Sequence, residues 1–360
     1  MMRLRVHAAI AFPPGGYRLY AWFDDDKATN TPASILPNFE WQSCGRGWMA
    51  WLPEHPASQP PDLVTEAIER YQTPPQPWAV RSHSWRWGKR TIVMGVLNVT
   101  PDSFSDGGLY DTRDRALQQA RHLIAAGADL IDIGGESSRP GSAPVDIEEE
   151  LRRIIPTIAA IRAESDIPIS VDTTKAGVLE KAVTAGADIL NDISAGRFDP
   201  EMLLVAARLN VPVMLMHLKG TPRTMQRSPT YRDVIDDIYA HLEERIEAAA
   251  RCGISRKNIA IDPGIGFGKT LEHNLSLLAN CTQFRSLGCP IVIGASRKSF
   301  IGTILDRPSP QERLWGTGAA CSVAIANGAD CVRVHDLNQM KDICAIADAI
   351  VRPPDFHSKC

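Results

Sequence analysis

The sequence predicts a (β/α)8 barrel preceded by a small Trp- and Pro-rich N-terminal segment, and three observations point to it. From residue 91 onward eight short runs rich in Ile, Val and Leu follow one another. Longer stretches with helical spacing separate them, which is the signature of parallel βαβ units. The repeats fill roughly 270 residues, the usual size of such a barrel. A doubly wound open sheet is the other arrangement of the same units.

Composition divides the chain near residue 90. Seven of the eight Trp (Trp22, Trp41, Trp48, Trp51, Trp78, Trp85 and Trp87) and eleven of the 26 Pro lie before it. Residues 1–85 are therefore an N-terminal extension of unknown role and residues 86–360 the barrel domain. Within the extension "YRLYAWF" has strand character, "PDLVTEAIERY" a short helical pattern opening with Pro61 and Asp62, and "QTPPQPW" the look of a Pro-broken linker.

In the barrel the strand candidates are "IVMGVLNV" (92–99), "LIDIGG" (130–135), "IPISVD" (167–172), "ILNDIS" (189–194), "VPVMLMH" (211–217), "IAIDPG" (259–264), "PIVIGAS" (290–296) and "CVRVHD" (331–336). Strands buried on both faces read as continuous apolar runs, as these do. Between them "DIEEELRRIIPTIAAIRAE" and "YRDVIDDIYAHLEERIEAAARCG" have helical spacing, and the second closes on a Gly suited to a helix C-terminus.

A net charge of -3 and a pI near 6.3 argue against a general surface for nucleic acid or an anionic membrane. No apolar run reaches the length of a bilayer span. The first residues break at Pro13 and Pro14 before a signal-peptide core develops, so a cytoplasmic protein is expected. The eight Cys are scattered without a C-x-x-C pair, and several sit in apolar segments. Reduced thiols are expected, with neither a disulfide framework nor a zinc site.

Barrel enzymes gather their functional groups where strands end and βα loops begin. Polar residues stand at those ends here: Asn98, Glu136 to Arg139, Asp172, Asn191 with Asp192, His217, Asp262, Ser296 to Lys298, and Arg333 with His335 and Asp336. One such residue alone reads as a helix cap or a loop hydrogen-bonder. All eight ends together read as one shared site.

The segments "MGVLNVTPDSFSDGG", "IDIGGESSRPG", "ISVDTTK", "ILNDIS", "MLMH", "IDPGIGFGK", "GASRKSFIG" and "VRVHD" resemble, in order and one per strand, the dihydropteroate synthase family of pterin-binding barrels. The resemblance runs from about residue 86 to the end of the chain and leaves residues 1–85 uncovered. It implies a cytoplasmic homodimeric transferase that condenses a dihydropterin methyl diphosphate with 4-aminobenzoate, releasing pyrophosphate and forming 7,8-dihydropteroate.

The resemblance also implies roles. Asp172, Asn191, Asp262, Phe267 and Lys298 would bind the pterin, whose flat edge a carboxylate and an amide can read as paired donors and acceptors. Arg139, Arg333 and His335 would take the diphosphate, with Asn98 holding a Mg²⁺ that keeps most of its ligands from water and phosphate. Phe104, Ser138, Pro140 and Ser296 would form the 4-aminobenzoate pocket, with Gly107 and Gly108 as hinges of a loop that closes over it. Asp172, Lys298, Phe104 and Ser138 would act in catalysis. Ser138 stands where many family members carry Thr.

Other readings compete. "PGIGFGKT" nearly spells a phosphate-binding loop, but Pro263 replaces the first required Gly and removes one N–H. His217 alone does not make a metal barrel of the amidohydrolase type, because strand one has no His-x-His; it reads as a strand-end hydrogen-bonder. A pterin-binding methyltransferase barrel would share the pterin carboxylates and Asn without needing the 4-aminobenzoate loops or the diphosphate group, and the presence of Phe104, Arg139, Lys298, Arg333 and His335 weighs against it. A non-catalytic pterin-binding paralogue would use the Trp-rich segment for interaction.

Overall fold

The computed structural model describes residues 2–8, 16–23, 31–44, 47–53, 60–100 and 109–353. In the N-terminal segment the strands β1 (Met2–Ala8), β2 (Gly16–Phe23), β3 (Gln42–Cys44) and β4 (Gly47–Pro53) pair antiparallel in the order β1-β2-β4-β3. Strand side chains alternate between faces. One face, with Leu4, Val6, Leu19, Ala21, Ala50 and Leu52, packs against Val64 and Ala67 of helix α1 (Asp62–Gln72). The other face turns to the barrel, where Arg5 bonds Asp236 and lies over the rings of Tyr20 and Trp22 at 4.8 and 5.2 Å. Trp22 meets Tyr239 edge-on at 5.5 Å.

A hairpin of β5 (Trp78–Val80) and β6 (His83–Trp85) follows. Trp78, Val80, Trp85 and Trp87 share one core with Ile92, Met94, Leu130, Ile189, Met214, Ala260, Val292 and Cys331. Those partners lie toward the N-terminal ends of the barrel strands, so the hairpin closes the bottom of the barrel. The expected boundary after residue 85 therefore cuts through this plug. The barrel's own core begins at Trp78, because its open lower end would otherwise expose apolar side chains to water.

Eight parallel strands form the barrel: β7 (Ile92–Asn98), β8 (Leu130–Gly134), β9 (Ile169–Asp172), β10 (Ile189–Asp192), β11 (Val213–Met216), β12 (Ile259–Asp262), β13 (Val292–Ile293) and β14 (Cys331–Val334). They run in the order β12-β11-β10-β9-β8-β7-β14-β13. A parallel bridge between Ile261 and Ile291 joins the two outer strands and closes the ring. The open-sheet alternative falls with that bridge. Each strand is shorter than its apolar run, because the residues beyond the tips turn into loops.

The surrounding helices are α2 (Leu109–Ala125), α3 (Ile147–Glu164), α4 (Ala176–Ala185), α5 (Met202–Leu209), α6 (Val234–Arg251), α7 (Leu271–Ala279), α8 (Ser299–Leu305), α9 (Leu314–Ala326) and α10 (Leu337–Val351). Asp146 starts α3 by accepting the Glu149 N–H at 2.8 Å, and Asp233 starts α6 by accepting those of Ile235 and Asp236 at 2.9 Å each. Both are side-chain caps that satisfy otherwise orphaned donors. Among the described residues no helix is long and apolar enough to cross a membrane, and the described cysteines are unpaired.

Inside the barrel the period of two sets the site. Leu130, Ile189, Ala260, Val292 and Cys331 belong to the apolar lower layer. Two residues on along the same strands stand Asp132, Asn191, Asp262, Gly294 and Arg333. Each strand thus changes from apolar to polar or open within one repeat, and the upper layer becomes a polar chamber. If the hairpin is part of this core, Trp78→Ala should lower stability by about 3–5 kcal/mol, the usual cost of emptying a buried aromatic site. Denaturant unfolding measures this, and an unshifted midpoint would show the hairpin to be an appendage.

Candidate active site

The chamber opens at the C-terminal ends of the strands as a cavity of about 630 Å³. Asn98, Ser138, Arg139, Pro140, Asp172, Asn191, Asp262, Phe267, Ser296, Lys298, Arg333 and His335 all line it. They come from seven strand ends and the loops beyond them, as much as 237 positions apart in the chain (335 − 98). Phe104, Gly107 and Gly108 lie outside the described residues.

The floor is an ionic network. Arg333 donates from Nε to Asp132 at 2.6 Å and from Nη2 to Asp172 at 3.0 Å. Asp132 is fully buried and also accepts Ser170 Oγ at 2.6 Å and Asn191 Nδ2 at 3.1 Å. The Arg333 side chain keeps about a fifth of its surface (21%) exposed and lines the cavity. Burial, reinforced by the negative charge of Asp132, pushes the Asp172 carboxyl up to about 7 against the pull of Arg333.

Asp262 closes the far wall. Its Oδ1 accepts the Gly264 N–H at 2.6 Å, yet burial raises its carboxyl to about 6. Lys298 sits opposite, its Nζ 3.9 Å from the centre of the Phe267 ring. Burial and the Arg333 charge bring its ammonium down to about 8, opposed by Asp262 and Asp172. The turn between them needs two glycines in the left-handed region. A Cβ on Gly264 (φ +72°) would strike the His217 carbonyl, and one on Gly266 (φ +80°) would lie 2.9 Å from Lys298 Cδ.

Ser296 and His335 form a pair. Ser296 Oγ accepts the His335 backbone N–H at 3.2 Å and lies 3.0 Å from Nδ1. Burial and the nearby Arg333 hold this ring neutral, with its pKa down at about 3. Arg297, which also lines the cavity, is gripped by Asp336 in a two-bond fork at 3.0 and 2.5 Å.

The loop carrying Ser138, Arg139 and Pro140 is tied at its base. Lys175 bonds both Glu136 and the buried Glu150, and Arg153 donates to the Gly135 carbonyl at 2.7 Å. The Gly141 N–H reaches the Pro222 carbonyl at 3.1 Å and links this loop to the one after β11.

Sequence reasoning missed Asp132 and Ser170, which hold the floor, and Met216 and Met225, which line the walls. Asp132 carried a signal: it interrupts "LIDIG" two positions after the inward-facing Leu130. Met225 carried none, since it arrives from a loop. His217 is a hydrogen-bonder as expected, its Nδ1 2.9 Å from Lys269 Nζ. Lys269 is only 3% exposed, so "PGIGFGKT" is not an open phosphate loop. Among the described residues no group of three or more His, Cys, Asp or Glu could hold a metal. The one amide oxygen of Asn98 fits only an ion whose other ligands are water and phosphate oxygens.

The profile of the family described as pterin binding enzyme matches residues 94–335. The dihydropteroate synthase of Synechocystis sp. is 50% identical over 287 residues, 80% of this chain and 99% of that protein. The structure of Xanthomonas albilineans dihydropteroate synthase with 4-aminobenzoic acid superposes with a TM-score of 0.73 at 42% identity, over 78% of this chain and 100% of that one. The same organism's enzyme in complex with 7,8-dihydropteroate gives 0.70 at 40% identity, with the same coverage.

The floor makes a stability prediction. Replacing Arg333 with Met leaves the wholly buried Asp132 without its cation, which should cost about 3–5 kcal/mol. Adding Asp132→Asn to that variant should recover part of the loss in denaturant unfolding. A double variant less stable than the single one would contradict the pairing.

Proposed function

This chain belongs to the pterin-binding enzyme family, and from that premise we propose that it is the transferase that condenses (7,8-dihydropterin-6-yl)methyl diphosphate with 4-aminobenzoate, giving 7,8-dihydropteroate and pyrophosphate. One observation carries the reading: a single cavity brings the carboxyl and amide groups of Asp172, Asn191 and Asp262 together with the cationic side chains of Arg139, Lys298 and Arg333. A flat donor-rich heterocycle fits the first, and a diphosphate the second.

In this reading Asp262 and Asn191 take the pterin amine and ring N–H, Asp172 the other ring N–H, and Lys298 the ring carbonyl and nitrogen, with Phe267 beneath. Arg139, the exposed edge of Arg333 and the His335 ring hold the diphosphate. Asn98 would hold Mg²⁺ there, which when bound neutralises charge on the departing pyrophosphate. The 4-aminobenzoate ring lies by Ser138 and Pro140 with Phe104 over it, and its carboxylate reaches Ser296. The carbon–oxygen bond from the pterin methylene to the diphosphate breaks, the aryl nitrogen bonds that carbon, and the nitrogen gives up a proton to solvent. Asp172 lies where its negative charge favours the positive charge spreading into the ring.

Catalysis in this reading belongs to the barrel; the N-terminal sheet contributes no residue to the cavity among those described. The unpaired cysteines suit a reducing cytoplasm. A pair of subunits is proposed through α9 and α10, whose groove of about 550 Å³ is edged by the exposed Ile346 (65%) and Ile350 (73%). An apolar patch of this kind marks a contact surface. Sedimentation should show a dimer that Ile350→Glu dissociates.

The activity test mixes the protein with both substrates and Mg²⁺ and measures dihydropteroate and pyrophosphate; no product overturns the reading. A pH dependence follows as well. Ring N–H donors favour ionised carboxylates, whereas the free site holds protons on Asp172 and Asp262 up to about pH 7 and 6. Binding of 6-hydroxymethylpterin should therefore release protons and weaken as pH falls through those two values, by up to ~10-fold per unit for each group. Calorimetric titration in buffers of different ionisation enthalpy checks both.

A further inference from the structure

Lys269 is the most deeply buried ammonium in the neighbourhood of the cavity and does not line it. Its Nζ lies 2.9 Å from His217 Nδ1, 2.9 Å from the Phe267 carbonyl and 3.4 Å from the His217 carbonyl. Three polar atoms therefore surround the head group, which burial pulls well below the usual lysine range. The bonds pin the loop after β12 to the tip of β11. An amine buried this deeply is costly unless it is hydrogen-bonded, and these three contacts supply that.

The loop so pinned is held elsewhere too. The Gly266 N–H reaches Asn274 Oδ1 at 2.7 Å, the Gly266 carbonyl accepts Gln226 Nε2 at 3.1 Å, and the Gly268 carbonyl accepts Tyr231 Oη at 2.7 Å. None of these fixes the Phe267 carbonyl; Lys269 does. The Phe267 ring in turn carries Lys298 Nζ 3.9 Å above its centre, and Gly266 leaves room for the Lys298 stem.

We infer that Lys269 is a positioning residue: by holding the Phe267 backbone it sets the aromatic platform that aims Lys298 at the pterin. This rests on the pterin reading of the cavity. Its effect should fall mainly on the pterin half of the site, because Lys175 and Arg153 tie down the base of the loop of Ser138 and Pro140 and Lys269 bonds neither it nor them.

The test is a double-mutant cycle of Lys269→Met and Phe267→Leu in the full chain, reading KM for each substrate. Each single variant should raise KM for the pterin diphosphate about tenfold and leave that for 4-aminobenzoate within about twofold. The double variant should be no worse than the poorer single one, since both act through one platform. Lys269→Gln, which keeps a donor, should recover part of the loss. Additive losses, equal losses for both substrates, or a lowered Tm with unchanged KM would each overturn the inference. Should Lys269→Met not fold, the comparison is made on Lys269→Gln. Calorimetric binding of 6-hydroxymethylpterin separates the two readings: a wild-type protein that binds it without turnover contradicts the proposed reaction alone, and equal affinity in wild type and variant contradicts the role of Lys269 alone.

Discussion

One guanidinium, that of Arg333, held inside the barrel between Asp132 and Asp172, fixes the arrangement of the site. A charge taken that far from water is tolerated only when it is paired and its partners' remaining lone pairs are filled. Here Asp132 accepts from Arg333, Ser170 and Asn191 together. The network thereby orients three side chains from three strands, two of which face the cavity. The strand period of two makes this possible, because it lifts each polar residue one layer above an apolar one.

The charges left over define what the cavity can hold. Asp172 and Asp262 are each pushed toward the protonated form and Lys298 toward the neutral form by the same burial. Asp172 already accepts from Arg333 and Asp262 from the Gly264 N–H, and each has a second carboxyl oxygen to offer a ligand. A ligand presenting N–H groups to the carboxylates and an acceptor to the ammonium relieves each of them at once. Preorganised groups of this kind need no rearrangement when charge develops on the ligand.

The Trp-rich start of the chain serves two separate packing tasks. Trp78, Trp85 and Trp87 fill the lower end of the barrel, where large flat side chains cover a wide apolar opening. Trp22 and Arg5 instead dock the four-stranded sheet on α6, with Arg5 meeting Asp236 in its first turn. The segment that looks uniform by composition is thus divided by the fold, with its last part belonging to the barrel.

What the sequence alone determined was the periodic part: eight apolar runs, the helices between them, and the polar residue at each strand tip, including Asp172, Asn191, Asp262, Lys298 and Arg333. These are legible because a closed parallel barrel forces every strand to be apolar along its length and functional at its end. The tertiary structure decided what depends on separation across the chain. It paired Arg333 with an Asp 201 positions away, bound Arg297 to Asp336, brought Met225 in from a loop, and turned Lys269 inward to His217. It also moved the lower limit of the barrel back to Trp78. The physical reason is that a local pattern records which face a residue occupies, whereas partner, burial and charge state arise only when distant strands close into a ring.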